Sequence, residues 1–135
     1  MAARELLSAD PYFRVLADDA TRVVRLVRSP KTFPSLEAIT ETFAAVERVL
    51  VGVPLDWALL IDVREGPLRN DPQFEDFLGR ARGAIVSRFA RVCVLVKSAV
   101  GRLQVERYAR EDRRSPRVFR DEADAIAHLT GSRGR

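Results

Sequence analysis

The chain contains one histidine and one cysteine, and this scarcity limits the reactions that it could catalyse. His128 lies close to the C-terminus, and no nucleophile-elbow motif supplies the serine that a histidine-based triad would need. A single cysteine and a single histidine cannot form an ordinary structural zinc site. Cys93 lies within an apolar run at 92–96, which predicts a buried core residue. The sequence therefore predicts neither a histidine-dependent hydrolase nor a zinc protein.

Asp62 near the end of one predicted strand, with Lys97 and Ser98 near the end of the next, is similar to the arrangement in phosphate-accepting receiver domains, although Asp62 lies inside its apolar run. Such sites also need a pair of acidic residues after the first strand to hold Mg²⁺. The pair Asp18–Asp19 instead falls in a predicted hairpin turn, so the receiver chemistry is not expected. Glycine-rich phosphate loops of the P-loop or dinucleotide-binding type are absent from the sequence as well. We therefore predict no enzymatic activity, no metal and no cofactor.

Polar and basic side chains follow two predicted buried strands, at 57–63 and 91–97. A helix of about 18 residues between two such strands is the crossover that a parallel pair requires. The carboxyl ends of neighbouring parallel strands lie at one edge of a sheet, where open α/β sheets tend to bind ligands. We therefore predict a net positive surface there, suited to an acidic protein, a carboxylate or a phosphate. Its candidate residues are Arg64, Arg69, Asn70, Asp71, Lys97, Ser98, Arg102, Gln104 and Arg107.

The alternative is structural: Arg64 could fix its loop through local hydrogen bonds, and Asp71 could cap the helix that follows it. The arginine-rich stretch 102–120 poses a separate question, because the net charge is +4 and the pI is about 10.0. Acidic residues are interspersed in that stretch, and Tyr108 stands apart from the next aromatic residue, Phe119, so the stretch lacks a ladder of stacking rings. A solvated charged surface is therefore favoured over a nucleic-acid site.

Length, at 135 residues, and 47% hydrophobic content predict one domain at 11–131, between a flexible N-terminal arm at 1–10 and a flexible tail at 132–135. Apolar runs are too short to span a bilayer and the N-terminus lacks a signal-peptide pattern, so we expect a cytoplasmic protein. Periodicity and capping residues then predict the elements. They are strands at 12–18 and 22–28, a helix from Ser35 to near Gly52, a strand at 57–63, a helix from Asp71 to Phe89, a strand at 91–97, a short helix at 99–112, a strand at 117–120 and a helix at 122–129.

This order of elements resembles the STAS-like fold of the anti-sigma-factor antagonists, especially the SpoIIAA-like or STAS/SEC14-type proteins. The resemblance covers roughly residues 12 to 130 and depends on the opening hairpin and on four short stretches, at 59–64, 69–74, 94–97 and 101–105. It implies a mixed sheet, with an N-terminal antiparallel hairpin followed by parallel strands, packed with about four helices. It also implies a small protein-interaction module.

In the best-known antagonists a partner kinase phosphorylates a serine at the start of the helix after the third strand. The matching stretch here, residues 64–72, contains no Ser, Thr or Tyr, so that control cannot be transferred. We therefore predict a non-catalytic, regulatory interaction module that binds another protein and could also form a homodimer. The alternatives are a pocket between helices and sheet that holds a lipid or an anionic metabolite and, less favoured, nucleic-acid binding through 102–120.

Overall fold

A computed structural model describes residues 4–66, 79–81, 83–98, 103 and 117–131. In these residues six strands form one mixed sheet, in the same order as they occur along the chain. Three helical segments accompany it, where about four helices were predicted. The strands are β1 (Arg4–Ala9), β2 (Phe13–Asp18), β3 (Val23–Arg28), β4 (Ala58–Asp62), β5 (Val92–Leu95) and β6 (Arg117–Phe119), and the helices are α1 (Leu36–Leu50), helical residues at 79–81 and 83–86, and α2 (Glu122–Thr130).

Strands β1, β2 and β3 are antiparallel, whereas β3, β4, β5 and β6 run parallel to one another. The predicted class, an α/β fold with an antiparallel hairpin followed by parallel strands, is therefore confirmed. The hairpin closes through a turn in which the Arg22 amide donates to the Asp18 carbonyl oxygen at 2.8 Å. Arg22 has a φ of 58°, a left-handed conformation that non-glycine residues seldom adopt outside turns.

Strand β1 was not predicted, because the sequence indicated a flexible arm over residues 1–10. Residues 4–9 instead pair with β2 as an edge strand. A register shift between Leu6 and Ser8 interrupts the alternation of the two faces, and this irregularity hides the two-residue periodicity by which strands are recognised. Asp10 then ends the strand, since its Oδ1 accepts hydrogen bonds from the amides of Tyr12 and Phe13, both at 2.7 Å.

Helix α1, which the sequence predicted, forms the crossover between β3 and β4, whose parallel pairing was not predicted. Ser35 caps it in extended conformation and its hydroxyl oxygen accepts from the Ala38 amide at 3.1 Å. Strands β4 and β5 are hydrogen-bonded parallel neighbours, with Leu60 opposite Cys93 and Asp62 opposite Leu95. The predicted parallel pairing of these two strands is therefore confirmed. The predicted helix at 99–112 lies outside the described residues except for Leu103, which is helical.

The two faces of the sheet bury separate apolar cores. On one, here called the α1 face, α1 and the helical segment at 83–86 pack together, and the fully buried residues include Ile39, Leu50, Val24, Leu59, Ile85 and Phe89. On the other, the α2 face, the core consists of Val23, Ala58, Leu60, Cys93, Leu95, Ala125 and Leu129. The helical segments before and after β4 therefore lie on the same face of the sheet. The carboxyl ends of β4 and β5 are adjacent, but they do not form the ligand-binding crevice that arises where strand order reverses.

No helix among the described residues is long and apolar enough to cross a membrane.

Candidate functional site

The carboxyl edge of the sheet, defined here as the edge at which β3, β4, β5 and β6 end, brings together the three predicted site residues that the structure describes. Arg64 and Lys97 each lie two positions beyond the last registered pair of β4 and β5, Asp62 and Leu95. The Val63 amide extends the ladder by donating to the Leu95 carbonyl oxygen at 2.9 Å. Lys97 is exposed and Ser98 is half-buried. The two strands thus end side by side, as the sequence predicted.

Arg64 and Asp62 form a compact ion pair at the end of β4. The Asp62 Oδ1 accepts from the Arg64 amide at 3.1 Å and from its Nε at 3.0 Å, while Oδ2 accepts from Nη2 at 2.8 Å. The hydrogen bond to the Asp62 carboxylate is the largest factor that raises the pKa of Arg64. A two-pronged contact of this type fixes the guanidinium plane. The alternative prediction for Arg64, a local tie within its loop, therefore describes the observed contacts.

A second acidic group joins this pair from the start of α2. Glu122 Oε1 lies 3.3 Å from the Arg64 Nη2, and Glu122 Oε2 accepts from the Nη2 of Arg25 at 2.8 Å. Arg25 is in the middle of β3, on the α2 face, and its side chain is only 5% exposed. Within the described residues, the Arg25 Nε is enclosed without a hydrogen-bond partner, and the guanidinium makes its polar contact with Glu122.

The four side chains Arg25, Asp62, Arg64 and Glu122 form a charge-balanced network that connects β3, β4 and the first turn of α2. Breaking a buried ion pair by removing one partner is costly, because the other charge is left in a medium that solvates it poorly. The network therefore positions α2 on the sheet and fixes the start of the loop after β4. Both carboxylate oxygens of Asp62 accept hydrogen bonds from Arg64. Asp62 is therefore not placed as a phosphate acceptor of the receiver type.

Two residues of this network, Arg25 and Glu122, were missed by sequence reasoning. Arg25 did carry a signal, since it is the one charged residue inside the otherwise apolar run 23–27. A charge in the interior of a buried strand indicates that a partner of opposite sign lies on the facing element. The identity of that partner was not readable, because Glu122 is 97 residues away along the chain.

Cys93 and His128 lie on the α2 face and are not members of the ion-pair network. Cys93 is fully buried, and its Sγ lies 3.8 Å from the Ala125 carbonyl oxygen. Burial raises the pKa of its thiol to about 12, so it stays protonated and unreactive. The His128 ring is half-buried and packs against Phe119, with ring centroids 5.5 Å apart. Both residues therefore contribute to packing.

Six of the predicted site residues, Arg69, Asn70, Asp71, Arg102, Gln104 and Arg107, lie outside the described residues. Among the residues that are described, no group of three or more His, Cys, Asp or Glu side chains could hold a metal ion. No protein-family model matches the chain, and no curated protein or solved structure is significantly similar to it.

Proposed function

We propose that the protein is a non-catalytic interaction module of the STAS-like type, which binds an acidic surface of another protein through residues 64–71 and 97–107. The observation that supports this proposal is the parallel pairing of β4 and β5. It brings the two segments out at one edge of the sheet, where Lys97 is exposed and makes no hydrogen bond or ion pair with the described residues. A flexible ammonium group on a fixed strand end suits an acidic partner.

The state of the reactive side chains supports a role in binding. Asp62 is held by Arg64, Cys93 is buried with a raised thiol pKa, and His128 packs on Phe119. A nucleophile or general base has to reach the atom that it attacks or the proton that it removes. These three groups are arranged to stabilise the sheet and its α2 face, and that arrangement favours recognition over chemistry.

The proposal is tested by reversing one charge at each end of the sheet. Lys97→Glu changes the carboxyl edge, and Arg48→Glu makes the same change of charge on an exposed residue in the last turn of α1, at the opposite end. Tagged wild-type and variant proteins are expressed in the native host, and their co-purifying proteins are compared by quantitative mass spectrometry. We expect Lys97→Glu to lose partners that Arg48→Glu retains. The double variant Arg69→Glu, Arg107→Glu extends the test to the rest of the surface.

Candidate partners from that comparison are then purified and measured by titration calorimetry. Because rim charges act chiefly on association and salt dependence, Lys97→Glu should weaken binding more at 50 mM than at 500 mM salt. Identical partner lists for all variants, or equal affinities for wild type and Lys97→Glu at low salt, would exclude this edge as the binding surface.

A further inference from the structure

Arg28, the last residue of β3, is a buried cation enclosed by aromatic rings. The residue is only 8% exposed. Its guanidinium carbon lies 4.4 Å from the ring centroid of Phe33, 5.6 Å from that of Phe13 and 6.0 Å from that of Tyr12. Tyr12 and Phe33 stack on each other at 4.5 Å. Aromatic faces attract a guanidinium, but they do not supply the directed acceptors that its N–H groups need.

The hydrogen bonds of Arg28 come from one nitrogen. Its Nη1 donates to the Ser29 carbonyl oxygen at 2.7 Å and approaches the Tyr12 carbonyl oxygen at 3.4 Å. Its Nε and Nη2 make no hydrogen bond with the described part of the chain. In the described residues, the arginine nitrogens that are both enclosed and without a partner are the Nε atoms of Arg25 and Arg88. Since Nε and Nη2 of Arg28 also have no partner there but are not enclosed in this way, they retain contact with solvent.

No carboxylate pairs with this guanidinium among the described residues. The carboxylate whose charge acts on Arg28 is Asp10, which forms no ion pair with it. The Asp10 Oδ1 already accepts hydrogen bonds from the amides of Tyr12 and Phe13. Burial lowers the pKa of Arg28 to about 10, which still leaves it a cation at neutral pH. A buried charge is usually paired with an opposite charge. Arg25, on the same strand, is paired in this way, since the Glu122 carboxylate lies 2.8 Å from its Nη2. Arg28 has the buried charge without the counterion.

The stem of Arg28 is closely packed, and a second cation lies near the same rings. The loop after β4 closes against the aliphatic part of the side chain, where a Cβ at Gly66 would lie 2.9 Å from the Arg28 Cγ. A bulkier residue at that position would displace the arginine stem. Lys31 is exposed, and its Nζ lies 5.9 Å from the Tyr12 ring centroid, which adds a second positive charge next to the same rings.

We propose that Arg28 is the anchoring residue of an anion site, in which its free Nε and Nη2 bind a carboxylate or phosphate oxyanion beside the stacked rings of Tyr12 and Phe33, while the exposed Lys31 adds attraction. Nε and one Nη are the pair of donors that a guanidinium uses for two-pronged recognition of such oxyanions. The proposed donors, Arg28 and Lys31, lie outside residues 64–71 and 97–107, although Gly66 packs against the Arg28 stem. Anion binding by Arg28 does not depend on the proposed function.

The test follows the side-chain N–H signals of arginine by ¹H–¹⁵N NMR while sodium phosphate, sodium acetate or sodium chloride is added to the full chain at constant ionic strength. We expect the Arg28 Nε–H signal to shift and saturate with phosphate, acetate or both, and the preferred anion identifies the ligand class. Chloride should give no saturable shift. Arg14, an exposed arginine of β2, is the internal control because its signal should follow ionic conditions only.

Two variants locate the binding. Arg28→Lys keeps the charge but removes the planar pair of donors, and we expect a dissociation constant roughly tenfold higher or more, followed on the backbone amide of Ser29. Lys31→Gln changes an exposed residue and should fold normally, with a dissociation constant about two- to fivefold higher. Arg14→Lys is the matched control and should bind like wild type.

Non-saturating shifts that match those of chloride would overturn the proposal, since they would show Arg28 to be only a tie between two loop carbonyl oxygens. Saturable binding that is unchanged in both Arg28→Lys and Lys31→Gln would also overturn it, because the anion would then lie elsewhere. If Arg28→Lys fails to fold, the Lys31→Gln titration and the Arg28 signal of the wild type decide the question.

Discussion

Substituting Glu122 by glutamine removes one charge from the carboxyl-edge network and keeps the size of the side chain. The wild-type carboxylate lies 2.8 Å from the Arg25 Nη2 and 3.3 Å from the Arg64 Nη2. Arg64 keeps its pairing with Asp62 in the variant. Arg25 has no second acceptor of this kind in the part of the chain that the structure describes, and its side chain is 5% exposed. The substitution therefore leaves a cation in the sheet without its counterion.

The expected loss of stability follows from the exposure of the two partners. Breaking a fully buried ion pair costs about 3–5 kcal/mol, but the Glu122 side chain is 36% exposed, so water can partly replace it. We expect the free energy of unfolding to fall by about 2 kcal/mol, since glutamine can still accept one hydrogen bond. For a chain of 135 residues this corresponds to a fall in Tm of about 7 °C.

Urea unfolding followed by circular dichroism measures this change, with Asp124→Asn as the matched control. Asp124 is also acidic, in the first turn of α2, and exposed. Its substitution removes a comparable interaction with the helix dipole, worth about 0.5 kcal/mol, without affecting Arg25. Equal losses for the two variants would refute the network as the origin of the effect. A double variant with Arg25→Met should cost less than the sum of the single changes, because the pair is coupled.

Three further predictions concern single residues of the fold. Burial raises the Cys93 thiol pKa from 9.0 to about 12, so between these pH values the folded chain keeps a proton that the unfolded chain releases. The free energy of unfolding should therefore fall between about pH 9 and 12. Urea titrations at several pH values measure this fall, which should be smaller in Cys93→Ala. Gly131 caps α2 with a φ of 65°, a conformation that disfavours alanine although nothing would touch its Cβ. Gly131→Ala should therefore lower the free energy of unfolding in urea by about 1 kcal/mol. Gly52→Ala is the control and should cost less, because its Cβ would meet only an ordinary contact at 3.5 Å. Ser35→Ala removes the acceptor for the first turn of α1 and should lower stability by about 1 kcal/mol, against a smaller change for the exposed Thr40→Ala, by the same measurement.

The helices and buried strands could be predicted because their signals are local. Ser35 and the apolar residues of α1 at three- and four-residue steps define that helix, and the apolar run 57–63 contains β4 at Ala58–Asp62. Strand β1 lacks such a signal. Its sequence, with alanine, serine and glutamate, has little preference for strands, and its register shift breaks the alternation, so its conformation depends on pairing with β2.

The site could be predicted only in outline. Two buried strands joined by a helix imply parallel neighbours, and this placed Arg64 beside Lys97. Which partners Arg64 and Arg25 choose depends on the face of the sheet that α2 covers, and no local pattern encodes that choice. The aromatic surroundings of Arg28 are equally non-local, because strand β2, the β1–β2 connection and the β3–α1 connection supply them.

Strand order that equals chain order has a consequence for synthesis. Each new strand that leaves the ribosome meets its neighbour already present, so the sheet can grow outward from the hairpin of β2 and β3 by one connection at a time. The charge of Arg25 is neutralised later, because its counterion, Glu122, is 97 residues downstream in α2. A nascent or truncated chain that ends before α2 would hold an unneutralised arginine within its sheet, and docking of α2 would remove that uncompensated charge.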